Sequence, residues 1–195
     1  MTRFLAGKTR VTATDVDPDY VALLGRTFAG NPNVEVRELD LAGLGTDGTA
    51  PHDYDTVVCS NVLEHIEDDG TALAAMREVL TPGGRLVLIV PAVKGLYGEI
   101  DRAIHHHRRY SQAEIREKLG HAGLEVEHCS YFNMVGVPGW WLNAVVFKRT
   151  AVPGFQAKIN DWLVPWLRVE RTFGPPVGMS LLAVGRVDAQ APAAR

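Results

Sequence analysis

The sequence predicts an α/β fold with a mostly parallel sheet and helices on both faces. Two observations carry this. Short apolar or alternating segments of strand length are interleaved with amphipathic segments of helical spacing along most of the chain. Two of the strand segments, YDTVVCSNV and RLVLIVPAV, are almost continuously apolar, as strands covered on both faces are.

The elements follow in order. TRFLAG reads as the last turns of a helix closed by Gly7, KTR as a short turn, and VTATDV (Val11 to Val16) as a strand. DPDYVALLGRTFAG begins with an acid and a proline, suits a helix with Asp17 at its N-cap, and stops at Gly30. NVEVRELDLA (Asn33 to Ala42) alternates apolar and charged residues, as a strand with one less buried side does, and the glycine-rich loop GLGTDGTAPHD follows. YDTVVCSNV (Tyr54 to Val62) reads as a central strand.

Residues Asp69 to Leu80 place Leu73, Met76, Val79 and Leu80 on one helical stripe, and TPGG (Thr81 to Gly84) turns the chain into RLVLIVPAV. In SQAEIREKLGHAG, Ser111 is the N-cap and Glu114 completes a capping box, with Gly120 or Gly123 as the stop. LEVEHCSYF and GMSLLAVGRV are the remaining strands. The expectation is one domain over residues 1–187 and a disordered tail over 188–195.

Composition narrows the function classes. The chain has 195 residues, 46% hydrophobic and 22% charged, and a formal net charge of −3, so no global charge draws it to nucleic acid. Cys59 and Cys129 lie in apolar strand segments without CxxC spacing, which argues against a disulfide framework or a cysteine zinc site and makes a reducing cytoplasm the default. Arg3, Lys8 and Arg10 interrupt the N-terminus, and no apolar signal-peptide core follows. Tyr131 to Phe147 is uncharged but holds Pro138 and is shorter than the roughly 20 apolar residues of a membrane-spanning helix.

Ligands of open α/β sheets bind beyond the carboxyl ends of the strands. Three successive strands here end in polar residues: Asp15, Asp40, and Ser60 with Asn61. A carboxylate at such a place can accept both hydroxyls of a ribose, and one a strand away can take an exocyclic amine.

Taken in order, TDVDP, ELDLA, YDTVVCSNVLEHI and LTPGGRLVLIVPA resemble the second-, third-, fourth- and fifth-strand motifs of the class I S-adenosylmethionine-dependent methyltransferases. The resemblance runs from Thr2 to about Ser111 and implies a Rossmann-like sheet whose last strand is antiparallel. It also implies S-adenosylmethionine as cofactor, with Asp15 on the ribose, Asp40 and the Leu41 backbone on the adenine, and Asn61 along the methionine part. LYGEIDRAIHHHRRYS (Leu96 to Ser111) resembles a segment of a bacterial subgroup of these enzymes, in which glycine usually stands at the place of His105. The family's acidic-x-G-x-G-x-G loop and the first central strand before it have no counterpart. A chain starting at Met1 is therefore expected to be truncated and to bind cofactor weakly, leaving two strands without their shared neighbour.

The implied reaction is in-line transfer of a methyl group from a sulfonium to an acceptor whose proton must be removed. His106, His65 and Glu64 are the candidate bases, Asp101 can orient a histidine, and Arg109 or Tyr110 can position substrate. His105 and His107 would share one face of an extended segment with Asp101 near, but two adjacent arginines disfavour a cation there, so no metal is assigned. The acceptor is read as a small or lipid-like molecule. The aromatic stretches around Trp140 and Trp141 and around Trp162 and Trp166 are helices packed on the sheet, a lid over an apolar acceptor, or a surface resting on a membrane.

The rival readings are a non-catalytic fragment or degenerate methyltransferase and an NAD-dependent oxidoreductase. The second lacks a tyrosine followed four residues later by lysine. An α/β-hydrolase is excluded by the lack of G-x-S-x-G.

Overall fold

The computed structural model describes residues 2–7, 9–41, 53–151, 170 and 174–190. The chain divides into two compact units, residues 1–49 and 50–195.

In the first unit, helix α1 (Thr2–Ala6) leads through a turn to strand β1 (Val11–Asp15). Helix α2 (Pro18–Thr27) begins as its sequence requires. The Asp17 carboxylate accepts the Asp19 N–H at 2.8 Å, and Pro18, which lacks an N–H, occupies the first turn. The chain leaves the helix through Gly30 at φ 79° and enters strand β2 (Val34–Glu38), parallel to β1 from the Val11/Val34 pair to the Asp15/Glu38 pair. The glycine-rich loop that follows falls almost entirely outside the described residues.

The second unit is built on a four-stranded sheet in the order β3-β4-β6-β5. Its strands are β3 (Tyr54–Ser60), β4 (Leu80–Pro91), β5 (Leu124–Phe132) and β6 (Ser180–Val187). β3 and β4 are parallel, and β6, the last strand, is antiparallel to both its neighbours. Helix α3 (Asp69–Glu78) packs on β4, helix α5 (Gln112–His121) on β5 and β6, and the two helices touch each other. Leu73, Met76, Leu86, Leu88, Val90, Leu119 and Leu181 are fully buried between these layers. Gly185 leaves room for this contact: a Cβ there would lie 3.1 Å from the Leu124 Cβ and 3.4 Å from Leu119.

Three local expectations are corrected. YDTVVCSNV is not a strand covered on both faces: β3 ends the sheet, pairs only with β4 among the described residues, and leaves Val58 36% exposed. TPGG is not a turn between a helix and a strand but an irregularity inside β4. Leu80 already pairs with Tyr54 and Arg85 with Thr56, so the residues between bulge from the ladder, with Gly83 at φ 78°. The capping box of α5 is half formed. Ser111 Oγ accepts the Glu114 N–H at 3.3 Å, but the Glu114 carboxylate turns away to Lys94 Nζ at 3.0 Å. The helix stops at Gly123, φ 77°, while Gly120 stays inside it.

Candidate active site

In the first unit, Asp15 ends β1 half-buried, and its Oδ1 accepts the Asp17 N–H at 3.0 Å, so the carboxylate is held by the turn that starts α2. The Asp15 carbonyl receives the Leu39 N–H at 3.0 Å, which carries the parallel ladder one residue past β2. Asp40 is exposed and Leu41 half-buried beyond that point.

In the second unit the chain leaves β3 at Asn61, whose φ of 52° lies in the left-handed region that asparagine tolerates better than most residues. Its N–H still donates to the Ile89 carbonyl at 2.9 Å. A single 3₁₀ turn, Leu63–His65, follows. It buries Leu63 in the core and Glu64 with it, and leaves His65 exposed.

A second segment meets this turn. After β4, Ala92 bridges to Tyr110, and the Tyr110 N–H bonds the Pro91 carbonyl at 3.0 Å, so residues 93–109 form a loop closed at its neck. Within it lie the short helix α4 (Glu99–Ala103) and His105 at φ 60°. The His107 N–H donates to the Glu64 carbonyl at 2.8 Å and ties the loop to the 3₁₀ turn.

Asp101 organises the loop from inside. It is fully buried; Oδ2 accepts the Gly98 N–H at 3.0 Å, and Oδ1 accepts from His106 Nδ1 at 3.0 Å and Arg109 Nε at 2.9 Å. Burial pushes its acidity one way, but the His106 bond and the Arg109 charge outweigh it and hold the carboxyl below its ordinary range. Arg109, 3% exposed, also donates to the Ala92 carbonyl at 3.1 Å, and its guanidinium lies 4.7 Å from the Trp140 ring centroid. Trp140 donates its Nε1–H to the Leu96 carbonyl at 3.1 Å.

His106 is therefore gripped on one ring nitrogen. Its other nitrogen, Nε2, stands 3.7 Å from Glu64 Oε1, beyond hydrogen-bonding distance. Glu64 is 0% exposed and neither of its carboxylate oxygens has a hydrogen-bond partner. Burial raises its pKa against the opposing pull of its own backbone N–H and of the His106 and Arg109 charges. The His65 ring meets that of His106 edge to face at 4.7 Å between centroids, and burial together with the neighbouring His106 lowers the pKa of His65. Glu64, His65 and His106 each offer a donor atom within 4.8 Å of the others.

The structure thus joins His106, His65, Glu64 and Asp101, as well as Arg109, in one cluster, although helix α3, strand β4 and the short helix α4 separate Glu64 from His106 in the sequence. The histidine that meets Asp101 is His106, not His105 or His107; His107 instead lines a cavity of about 230 Å³ with Lys94, Tyr97, Arg108, Arg109 and Glu114. Tyr110, read from sequence as a substrate contact, is fully buried, and its hydroxyl donates to Asp69 Oδ2 at 2.9 Å. Asp69, which also receives Lys118 Nζ at 2.7 Å and Arg108 Nη1 at 3.3 Å, was not legible as a hub because its three partners come from two distant segments. Trp162 and Trp166 fall outside the described residues.

A methyltransferase domain family matches residues 1–86. A ubiquinone biosynthesis O-methyltransferase of Xanthomonas euvesicatoria is 27% identical over 157 residues, 73% of this chain, and the chain spans 64% of that relative's length. A protein of the same name from Marinobacter nauticus is 24% identical over 48% of this chain and 44% of its own. Among solved structures, a putative sarcosine dimethylglycine methyltransferase from Galdieria sulphuraria aligns with a TM-score of 0.63 at 16% identity, over 96% of this chain and 74% of that one. An S-adenosylmethionine-dependent methyltransferase from Mesorhizobium loti aligns with a TM-score of 0.59 at 15% identity, over 91% and 80%. With the order of strand motifs and the antiparallel last strand, these matches support a fold of the class I S-adenosylmethionine-dependent methyltransferases, and the methyltransferase domain family is matched over residues 1–86.

Proposed function

We propose that this protein transfers a methyl group from S-adenosylmethionine to an oxygen of a small, largely apolar acceptor. The observation that carries the reading is the family match over residues 1–86, which spans all the positions assigned to the cofactor. Asp15 takes the ribose hydroxyls, Asp40 and the Leu41 backbone take the adenine, and Asn61 lines the methionine portion. Each assignment rests on its own place at the carboxyl end of a strand.

Oxygen as the acceptor atom is suggested by the ubiquinone biosynthesis O-methyltransferases among the relatives. An apolar acceptor is suggested by the segment after β5, where Trp141 is 47% and Phe147 61% exposed beside the exposed Lys148 and Arg149. The same surface supports contact with a membrane carrying such an acceptor.

The reaction needs little covalent help. The acceptor oxygen attacks the methyl carbon in line, the sulfonium sulfur leaves as a thioether, and the hydroxyl proton must depart. Removal of that proton is assigned to the cluster of His106, His65 and Glu64, with Asp101 holding His106. Arg109 and the cavity beside it position the acceptor.

Calorimetry with S-adenosylmethionine tests the reading. Binding is expected to weaken by about 10- to 100-fold in Asp15→Ala, the loss of hydrogen bonds to a charged acceptor. Binding indifferent to Asp15 and Asn61 together would overturn the assignment, and absence of cofactor binding would favour a non-catalytic protein.

A further inference from the structure

We propose that Glu64, His65 and His106 form a binding site for one divalent metal ion of the zinc class, with Asp101 as the group that orients His106. Two imidazoles and one carboxylate form the donor set of catalytic zinc sites, in which further positions stay open to water or substrate.

Three features of the cluster point to a cation. Glu64 is a fully buried carboxylate with both oxygens unpartnered, although buried polar groups are nearly always satisfied. The nearest basic atom, His106 Nε2, is 3.7 Å away, too far for a hydrogen bond but a natural spacing for two atoms sharing one ion at about 2.0–2.2 Å each. Finally, the bond from His106 Nδ1–H to Asp101 fixes the ring so that the Nε2 lone pair faces Glu64, the arrangement by which carboxylates orient metal-bound histidines.

The third donor needs only a small adjustment. The donor atoms lie within 4.8 Å of one another, and His65 is exposed, so its ring can turn inward without disturbing the core. Charge also favours occupancy. Arg109 bonds Asp101 directly, at 2.9 Å, and reaches Glu64 only through its longer-range charge, so Glu64 is the carboxylate of the cluster without a direct cationic partner. A dication there would balance Glu64 and retain one positive charge to hold an anionic oxygen at an open position. The role of the site in acceptor activation rests on the methyl-transfer reading; metal binding itself does not.

Metal-stripped protein titrated with Co2+ and followed by its visible absorption, with Zn2+ affinity measured by competition against a chromogenic chelator, tests the site. One equivalent is expected to bind, Zn2+ should displace Co2+, and Glu64→Gln and His65→Ala should each weaken binding by about tenfold or more. His107→Ala and His128→Ala should not. Because His65 is exposed, His65→Ala retains the fold and keeps the test decisive if Glu64→Gln does not. Binding that survives in both Glu64→Gln and His65→Ala, or that follows His107 instead, would overturn the proposal, as would the absence of a stoichiometric site. Cofactor calorimetry on the same preparation reports separately on methyl transfer: a metal site without cofactor affinity would remove the proposed reaction and leave the site standing.

Discussion

Asp101 Oδ1 stands 2.9 Å from Arg109 Nε, and both residues are almost completely withdrawn from solvent. The same oxygen receives His106, so one carboxylate neutralises a buried guanidinium and sets the angle of an imidazole. Replacing Asp101 by Ala strands the Arg109 charge, and a cost of about 3–5 kcal/mol in urea unfolding is expected. A loss below about 1 kcal/mol would mean that Arg109 finds another partner or solvent.

His105 occupies the left-handed region at φ 60°, where a side chain with a Cβ is disfavoured. His105→Gly should therefore stabilise the protein by about 0.5–1 kcal/mol, net of the greater freedom glycine gives the unfolded chain. A lower melting temperature in that variant would show that the imidazole makes a compensating interaction.

Gly98 sits where a Cβ would run into the Ala144 carbonyl of the π-helical segment Trp141–Val146, well inside van der Waals contact. It also supplies the N–H that Asp101 Oδ2 accepts. Gly98→Ala is expected to cost about 1–3 kcal/mol and to loosen the loop that carries His106. Hydrogen exchange at the His106 and His107 amides would register the loosening before global unfolding does.

Cys59 is buried in β3, and burial, with the nearby Glu64 charge, pushes its thiol up to about 12 from 9.0. The folded state thus retains a proton that the unfolded state releases first. The resulting stability is present below about pH 9 and is lost as the pH rises toward 12. Unfolding free energy measured across that window should fall less steeply in Cys59→Ala. Folded protein at pH 8 should also resist alkylation at this cysteine.

Local signals in the sequence foretold much of the fold. Pro18 behind Asp17, the stripe of Leu73 and Met76, and Gly123 past α5 act within a turn or two of themselves, and each does what its chemistry implies. Strand burial is different in kind, because it depends on neighbours. The apolar run of β3 resembles that of β4, yet among the described residues β4 lies between two strands and β3 has one, and nothing within Tyr54–Ser60 encodes that difference.

The candidate site divides along the same line. The meeting of Asp101 with a histidine is short-range and was legible; which of three consecutive histidines it would be depended on the turn at His105. That Glu64 would be sealed inside and face His106 required the docking of residues 93–109 on the 3₁₀ turn, through bonds such as that of His107 to the Glu64 carbonyl. Likewise, the partner that Trp140 finds in Arg109 follows from no spacing in the chain.

Because β6 enters the sheet between β4 and β5, from Arg186 opposite Arg85 to Leu181 opposite Tyr131, its arrival also governs assembly. On the ribosome, β3, β4 and β5 emerge long before residues 180–187, and among the described residues β5 has no other strand to pair with. Until residues 180–187 have been made, β4 and β5 each carry an open backbone edge that β6 will later cover. Interaction with a holding chaperone should be concentrated in that interval and should end once Ser180–Val187 has left the exit tunnel.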